Sequence, residues 1–296
     1  MTDPVTVGAD GSPAGLAAAD WGAREARLRD VPLRLVHAWE WQPYSHEPPA
    51  GPGAARQWSE DVLHEIAARL RSRYPGLAIT ADFLTGPPPE VLCEAGKEAE
   101  CLVLGSTGVG RLTGFLLGSV AMATVARAER PVVLVRAPGP DEDARPVREP
   151  ATTPFRRVVV GLDLGGPCDE VVQFAFDAAA LRAATLLVVH GWSLPAYYGA
   201  FGVAPEPDWP AVEAAESESL HEALLPWRAK YPGVDVVAEA VVGQPGHHLL
   251  DAAADASLVV VGRRSRPSRA VPPRIGHIAH AVLHHSPVPV AVVPHG

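Results

Sequence analysis

The sequence has few cysteines and a shortage of positive charge. Cys93, Cys101 and Cys168 are odd in number and lack metal-site spacing, which is typical of a reducing compartment. The formal net charge is −9, so the chain lacks the basic face that nucleic-acid binding needs. No apolar run approaches the length that crosses a bilayer, and the N-terminus lacks the layout of a signal peptide. We therefore expect a cytoplasmic protein that binds neither membrane nor nucleic acid.

The sequence contains an internal duplication. Six segments recur in the same order at a nearly constant separation. They are Pro4-Val-Thr-Val-Gly-Ala-Asp10 with Arg157-Val-Val-Val-Gly-Leu-Asp163, Leu35-Val-His37-Ala-Trp39 with Val188-Val-His190-Gly-Trp192, Arg73-Tyr-Pro-Gly76 with Lys230-Tyr-Pro-Gly233, Gly86 with Gly243, Cys101-Leu-Val-Leu-Gly105 with Leu258-Val-Val-Val-Gly262, and Pro131-Val-Val-Leu-Val135 with Pro289-Val-Ala-Val-Val293. The duplication predicts two domains, 1–138 and 154–296, joined through the proline-rich stretch Ala137–Pro150.

Short apolar strands alternate with helical segments in each unit. In the first unit we predict strands at Val5–Ala9, Leu33–Trp39, Leu77–Leu84, Cys101–Leu104 and Pro131–Val135, and helices at Pro13–Arg29, from the end of the loop Gln42–Gly53 to about Tyr74, at Pro88–Lys97 and at Gly118–Ala128. The second unit repeats this order from about Arg157 to Pro294. The pattern predicts an α/β fold with two tandem, doubly wound open parallel sheets. In the strand order 3-2-1-4-5, Asp10 and Gly105 end neighbouring strands where the order reverses, which is where ligands bind.

The fifth strand of each unit would then lie at a sheet edge. An uncovered apolar edge promotes aggregation, and the two copies offer each other the same surface. We expect the fifth strands to pair antiparallel about a pseudo-twofold axis, giving an intramolecular pseudo-dimer. Two alternatives stay open. Loops could cover the fifth strands, or these strands could pair between chains in a homodimer or larger oligomer.

A glycine-rich run from Gly105 to Ser119 has the pattern Gly-x2-Gly-x9-Gly-Ser and follows an apolar strand. Glycine lets a ligand approach the backbone closely. A Gly-Ser pair that opens a helix offers free N–H groups, a hydroxyl and the positive end of the helix dipole. The run suits phosphate binding without a lysine.

This run resembles the ATP-binding signature of the universal stress protein family, and Val-Gly-Ala-Asp10-Gly-Ser resembles that family's first strand. The resemblance covers essentially the whole chain, in the family's tandem form. It implies a Rossmann-like fold, similar to adenine nucleotide alpha hydrolases, that binds ATP, with Mg²⁺ or Mn²⁺ left open as its companion. By the resemblance, Ala9 and Asp10 contact the nucleoside, Ala38 meets the adenine, Leu104, Gly105, Thr107 and Gly108 approach the ribose and phosphates, and Gly118, Ser119 and Val120 wrap the phosphates.

The second unit departs from this pattern. Ser265 stands in place of the second glycine, His277 replaces the serine after Gly276, and prolines remove N–H donors from the intervening loop. We expect a degenerate second site, although Asp163 and Gly262 are kept. Two alternatives stay open: the second unit could bind a nucleotide weakly, or arginines of that loop could bind phosphates directly.

Other polar residues favour structural roles. His277, His280 and His284 fall on one face of a predicted helix, and the last two could share a metal. No carboxylate or cysteine joins them, so packed or partly exposed histidines are favoured and no metal site is predicted. His37 and His190 are expected to be buried.

The predicted function is that of a stress-response protein for which ATP is a bound signal. No general base is placed, and Arg111 and Arg127 are the available cations, so we expect no enzyme, or at most slow hydrolysis. The alternatives are an adenylyl- or phosphoryl-transfer enzyme of related fold and a nucleotide-free interaction scaffold.

Overall fold

The computed structural model describes residues 2–40, 51–106, 118–137, 155–192, 208–265 and 275–296. Within them, strand and helix alternate twice over, as predicted. The first repeat contains β1 (Val5–Gly8), α1 (Pro13–Arg29), β2 (Leu33–Trp39), α2 (Gly51–Arg73), β3 (Ile79–Thr85), α3 (Pro88–Gly96), β4 (Cys101–Ser106), α4 (Ser119–Arg127) and β5 (Val132–Arg136). The second contains β6 (Arg157–Leu162), α5 (Asp169–Arg182), β7 (Leu186–Trp192), α6 (Trp209–Lys230), β8 (Val236–Val242), α7 (Pro245–Ala253), β9 (Ala256–Arg264), α8 (His277–His285) and β10 (Val290–His295).

The element boundaries differ from the predicted ones by one or two residues. β4 continues past Leu104 to Ser106, because Gly105 and Ser106 still pair with β5. Helix α2 begins at Gly51, inside the predicted loop. A proline at position 52 has no N–H to leave unsatisfied in the first turn, so it does not delay the helix. The predicted linker lies outside the described residues beyond Ala137.

The ten strands form one sheet in the order β3-β2-β1-β4-β5-β10-β9-β6-β7-β8. Each repeat therefore has the predicted order 3-2-1-4-5, and its strands run parallel. The predicted edge pairing is confirmed, because β5 and β10 pair antiparallel, with Val133 opposite Ala291. These two residues are equivalent in the two repeats, so the pseudo-twofold axis passes between them.

Helices cover both faces of the sheet and create two apolar layers. One face carries α1, α2, α5 and α6, and its core extends across both repeats. The other face carries α3, α4, α7 and α8 over a second core. The strand residues between these layers are almost entirely buried, which explains why the central strands are apolar throughout instead of alternating.

A buried ion cluster joins the two repeats beside the axis. Glu25 of α1 is 1% exposed and accepts hydrogen bonds from Arg29, at 2.8 Å, and from Arg182 of α5. Arg29 and Arg182 occupy equivalent places in the two repeats, whereas the counterpart of Glu25 is Ala178. One carboxylate therefore serves both arginines, and the side chain of Arg29 also lies 5.5 Å from the ring centroid of Phe174.

Candidate functional site

A cavity of about 360 Å³ opens at the carboxyl ends of β1 and β4, where the strand order of the first repeat reverses. All the predicted site residues that the structure describes line it, namely Ala9, Asp10, Ala38, Leu104, Gly105, Gly118, Ser119 and Val120. Thr107 and Gly108 lie outside the described residues. The lining also includes residues that sequence reasoning missed, among them Ser12, Gly15, His37 and Pro88.

Asp10 is held by the turn that leads into α1. Its Oδ1 accepts hydrogen bonds from the backbone N–H and the hydroxyl of Ser12, at 3.0 and 2.6 Å. The Ser12 hydroxyl oxygen in turn accepts from the Gly15 N–H at 3.0 Å, which is the predicted N-cap of α1. Within the described part of the chain, Oδ2 of Asp10 has no hydrogen-bond partner, so this oxygen remains available to a ligand.

Gly15 is required by this arrangement. A Cβ at Gly15 would overlap Oδ1 of Asp10, so a side chain there would displace the carboxylate. The sequence carries only a weak signal for this role, a glycine in the first turn of a helix. Such a residue normally weakens a helix, so its presence indicates a close approach of this kind.

Gly105 and Gly118 belong to one motif but differ in what requires them. A Cβ at Gly105 would stand 2.7 Å from the backbone nitrogen of Gly15, so this glycine lets α1 pack against β4. A Cβ at Gly118 would have no described atom within 4 Å, and its φ of −59° and ψ of 145° suit any residue. Neither packing nor backbone conformation among the described residues accounts for glycine at 118.

The N-terminus of α4 faces the same cavity. Its first helical hydrogen bond runs from the Met122 N–H to the Gly118 carbonyl at 3.0 Å. The N–H groups of Ser119, Val120 and Ala121 precede that bond and have no partner within the helix. Among the residues that the structure describes, no side chain caps the helix start. Unpaired donors at the positive end of a helix dipole are suited to an anion.

His37 differs from its predicted burial, because it is only half-buried and lines the cavity. Its Nδ1 donates a hydrogen bond to the Ala9 carbonyl at 2.7 Å, and its ring stacks on Phe83 with centroids 5.5 Å apart. His190 makes the equivalent bond to Leu162 at 3.0 Å and is buried, as predicted. His190 is also contacted by Glu216 of α6, whose Oε2 lies 3.4 Å from its Nε2.

The corresponding place in the second repeat has different side-chain contacts. Asp163 accepts a hydrogen bond from the Gly165 N–H at 3.0 Å, while its other oxygen pairs with Arg264 at 2.7 Å. Pro245, at the start of α7, lies directly over Gly191, the counterpart of Ala38. A ligand that needed Oδ2 of Asp163 would have to displace Arg264.

Gly262 and Gly276 are the counterparts of Gly105 and Gly118 in the second repeat. A Cβ at Gly262 would stand 2.7 Å from Nε2 of His295, so its glycine makes room for the last strand. Gly276 repeats the features of Gly118, with φ of −62°, ψ of 154° and no described atom within 4 Å of an added Cβ. The loop between Pro267 and Arg274 lies outside the described residues.

The cysteines are not activated nucleophiles. Burial raises the pKa of Cys101 to about 12. Burial also raises the pKa of Cys93, which is half-buried and whose Sγ lies 3.8 Å from the Thr124 carbonyl oxygen. A raised pKa keeps both thiols protonated at neutral pH, in their unreactive form.

Two repeated parallel units joined through an antiparallel central pair define a tandem Rossmann-like α/β protein. None of the helices in the described ranges is both long and apolar enough to cross a membrane. The model of the universal stress protein family matches residues 1–136 and 154–294. The chain therefore belongs to this family, in its tandem form.

The chain is similar to curated universal stress proteins over most of its length. The universal stress protein Rv2005c of Mycobacterium tuberculosis is 35% identical over 296 residues, covering 97% of this chain and 96% of its own. The universal stress protein Rv2623 of the same organism is 33% identical over 272 residues, covering 88% and 86%. A solved structure of a universal stress protein from Archaeoglobus fulgidus matches with a TM-score of 0.70 at 17% identity, with each chain fully covered. At this low sequence identity, the match to the solved structure shows a shared fold.

Proposed function

We propose that this universal stress protein binds ATP in the first repeat and uses it as a bound signal. The observation that carries the proposal is Gly118, a glycine that no described packing contact or backbone angle requires. It stands at the start of α4, beside unpaired N–H groups and within the same cavity as Asp10. A phosphate lying against the helix start would account for the missing side chain.

The residues that line the cavity suit a nucleotide, because different groups are available for its base, its sugar and its phosphates. The apolar residues Val36, Ala38 and Leu92 would take the adenine, and Asp10 Oδ2 would accept a hydrogen bond from the ribose or bind a phosphate-bound cation. A free carboxylate oxygen fits Mg²⁺ or Mn²⁺, which prefer oxygen ligands. The described lining contains neither lysine nor arginine. The bound ion would therefore neutralise the negative charge of the phosphates.

The same lining argues for binding without rapid turnover. Phosphoryl transfer needs cations at the transferred group and a residue that orients the nucleophile. Among the described lining residues, Asp10 is the one carboxylate, and its Oδ1 is already held by Ser12. We expect phosphate release from ATP far slower than the roughly 1 s⁻¹ at the low end of ordinary enzymes. Turnover in that range would instead identify the phosphoryl-transfer alternative.

The site is tested by calorimetric titration of ATP, with Mg²⁺ present, into Gly118→Val. The valine would collide with bound phosphate, so we expect binding to be lost while the thermal midpoint is unchanged. Gly276→Val is the matched control, because that glycine has the same backbone angles and surroundings in the second repeat. It should bind ATP as the unaltered protein does.

Two results would contradict the proposal. Undiminished affinity in Gly118→Val would remove α4 from the site. Purified protein that neither retains nor binds adenine nucleotides would favour the scaffold alternative.

A further inference from the structure

Half of the chain's twelve histidines lie on two neighbouring helices of the second repeat. His247 and His248 are in α7, and His277, His280, His284 and His285 are in α8. The helices touch where Gly246 faces Ala281. The first repeat has no such concentration, since α4 carries Met122 and Ala126 where α8 carries His280 and His284.

His280 and His284 stand out within this group by their geometry. They are one helical turn apart, and their ring centroids are separated by 4.3 Å with a tilt of 33° between the planes. The buried stripe of α8 is formed by Ala279, Val282 and Leu283, so the two imidazoles lie on the opposite, outer side of the helix. His280 is exposed and His284 half-buried.

The surroundings of His280 favour its unprotonated form, which is the form that binds metals. Burial, followed by the neighbouring His284 and His285, lowers the pKa of His280 from its ordinary value. Protons therefore compete less for this ring near neutral pH.

We propose that His280 and His284 form a binding site for one late first-row divalent cation, Zn²⁺ or Cu²⁺, on the outer face of α8. Imidazole nitrogens suit these ions. No group of three or more histidine, cysteine, aspartate or glutamate side chains in the described ranges could hold a metal. The site thus has two protein ligands, with the remaining positions open to water, which makes it an exchangeable site and not a structural one.

The helix supplies the affinity by holding the second ring in place. Once one imidazole binds, the other is already within reach, so the pair acts as a chelate with a high effective concentration. Removing either ring should weaken binding at least about tenfold, because a single exposed imidazole lacks this advantage. Acidification should weaken it too, since both rings must lose their protons to bind.

The test is titration of ZnCl₂ into the full chain by calorimetry at pH 7.5, repeated with His280→Ala, His284→Ala and His285→Ala. His285 is the matched control, because it adjoins His284 but points elsewhere around the helix, with ring centroids 6.5 Å apart. Alanine is the best helix former, so none of the changes should unfold α8, and circular dichroism checks this. We expect the affinity for one equivalent of Zn²⁺ to fall at least about tenfold in the first two variants and to be unchanged in the third.

Electron paramagnetic resonance of the Cu²⁺-loaded protein provides a second measurement. Coupling to two nitrogens should be present in the unaltered protein and in His285→Ala, and should fall to one or none in His280→Ala. Equal Zn²⁺ affinity in His280→Ala and the unaltered protein would overturn the proposal. So would an equal loss in His285→Ala, which would indicate diffuse binding to the histidine-rich surface.

Discussion

At the scale of single residues, two glycines of the Gly105–Ser119 motif have different roles. Gly105 faces the backbone of α1, whereas Gly118 faces open space among the described residues. We expect Gly105→Ala to destabilise the fold by about 1–3 kcal/mol, because the backbone cannot yield as a flexible side chain can. Gly118→Ala should leave stability within about 0.5 kcal/mol of the unaltered protein. Urea unfolding of the two variants measures both effects, and equal stability would show that α1 can shift to admit the methyl group.

Tyr74 explains why the Arg-Tyr-Pro-Gly segment recurs. Its hydroxyl donates to Asp20 at 3.0 Å, and Tyr231 makes the equivalent bond to Asp177 at 2.6 Å. Burial and the Asp20 carboxylate raise the pKa of Tyr74 to about 12. Since the folded pKa lies above the unfolded value near 10, the stability that this group contributes is complete below pH 10 and is lost as the pH rises towards 12.

Tyr74→Phe should therefore cost about 1 kcal/mol at pH 8, the ordinary worth of a hydrogen bond. The difference from the unaltered protein should shrink at pH 11. Urea unfolding at the two pH values checks this. A difference that stays constant would mean that the phenol ionises as easily in the folded state as in the unfolded one.

At the scale of the elements, the central strand pair is the feature most sensitive to charge. Val133 is fully buried and pairs with Ala291 on β10. A lysine there would place a charge in an apolar layer, at a cost of several kcal/mol. We expect Val133→Lys to lower the thermal midpoint strongly, to loosen the two halves and to promote association through the exposed partner edge.

Val237→Lys is the control, because it also lies on a strand but is 43% exposed at the outer edge of the sheet. It should change the thermal midpoint little. Calorimetric melting and size-exclusion chromatography distinguish the two variants. Similar behaviour would show that pairing of β5 with β10 contributes little to the stability of the chain.

At the scale of the whole molecule, the two repeats share a fold but differ in their clefts. In the first, Oδ2 of Asp10 has no partner among the described residues, whereas in the second Arg264 pairs with Oδ2 of Asp163 and Pro245 lies against Gly191. We expect one ATP bound per chain, measured by the stoichiometry of calorimetric titration. Two equally tight sites would show that Arg264 moves aside or itself grips phosphate.

The sequence predicted the architecture because that depends on local and repeated signals. Apolar strands alternating with helices, together with the duplication, indicated two doubly wound units, and the apolar fifth strands indicated their pairing. The resemblance of the Gly105–Ser119 run and of the Asp10 strand to the family signature predicted part of the described lining, and these residues meet because parallel strands bring their carboxyl ends to one edge. These features depend on the period of the pattern and on strand order, and both can be inferred from the residues.

The tertiary structure alone decided which side chains meet across long separations. Glu25 pairs with Arg182 between repeats, and Arg263, buried at 5% exposure, donates to the Ala128 carbonyl in the other repeat. Arg264 pairs with Asp163 at the end of β6, and the backbone of α1 accounts for Gly105. An arginine or a glutamate could pair with many other residues of the chain, so its type alone does not reveal its partner. Their pairing follows from how the helices pack and where the pseudo-twofold axis passes, which no local pattern in the sequence encodes.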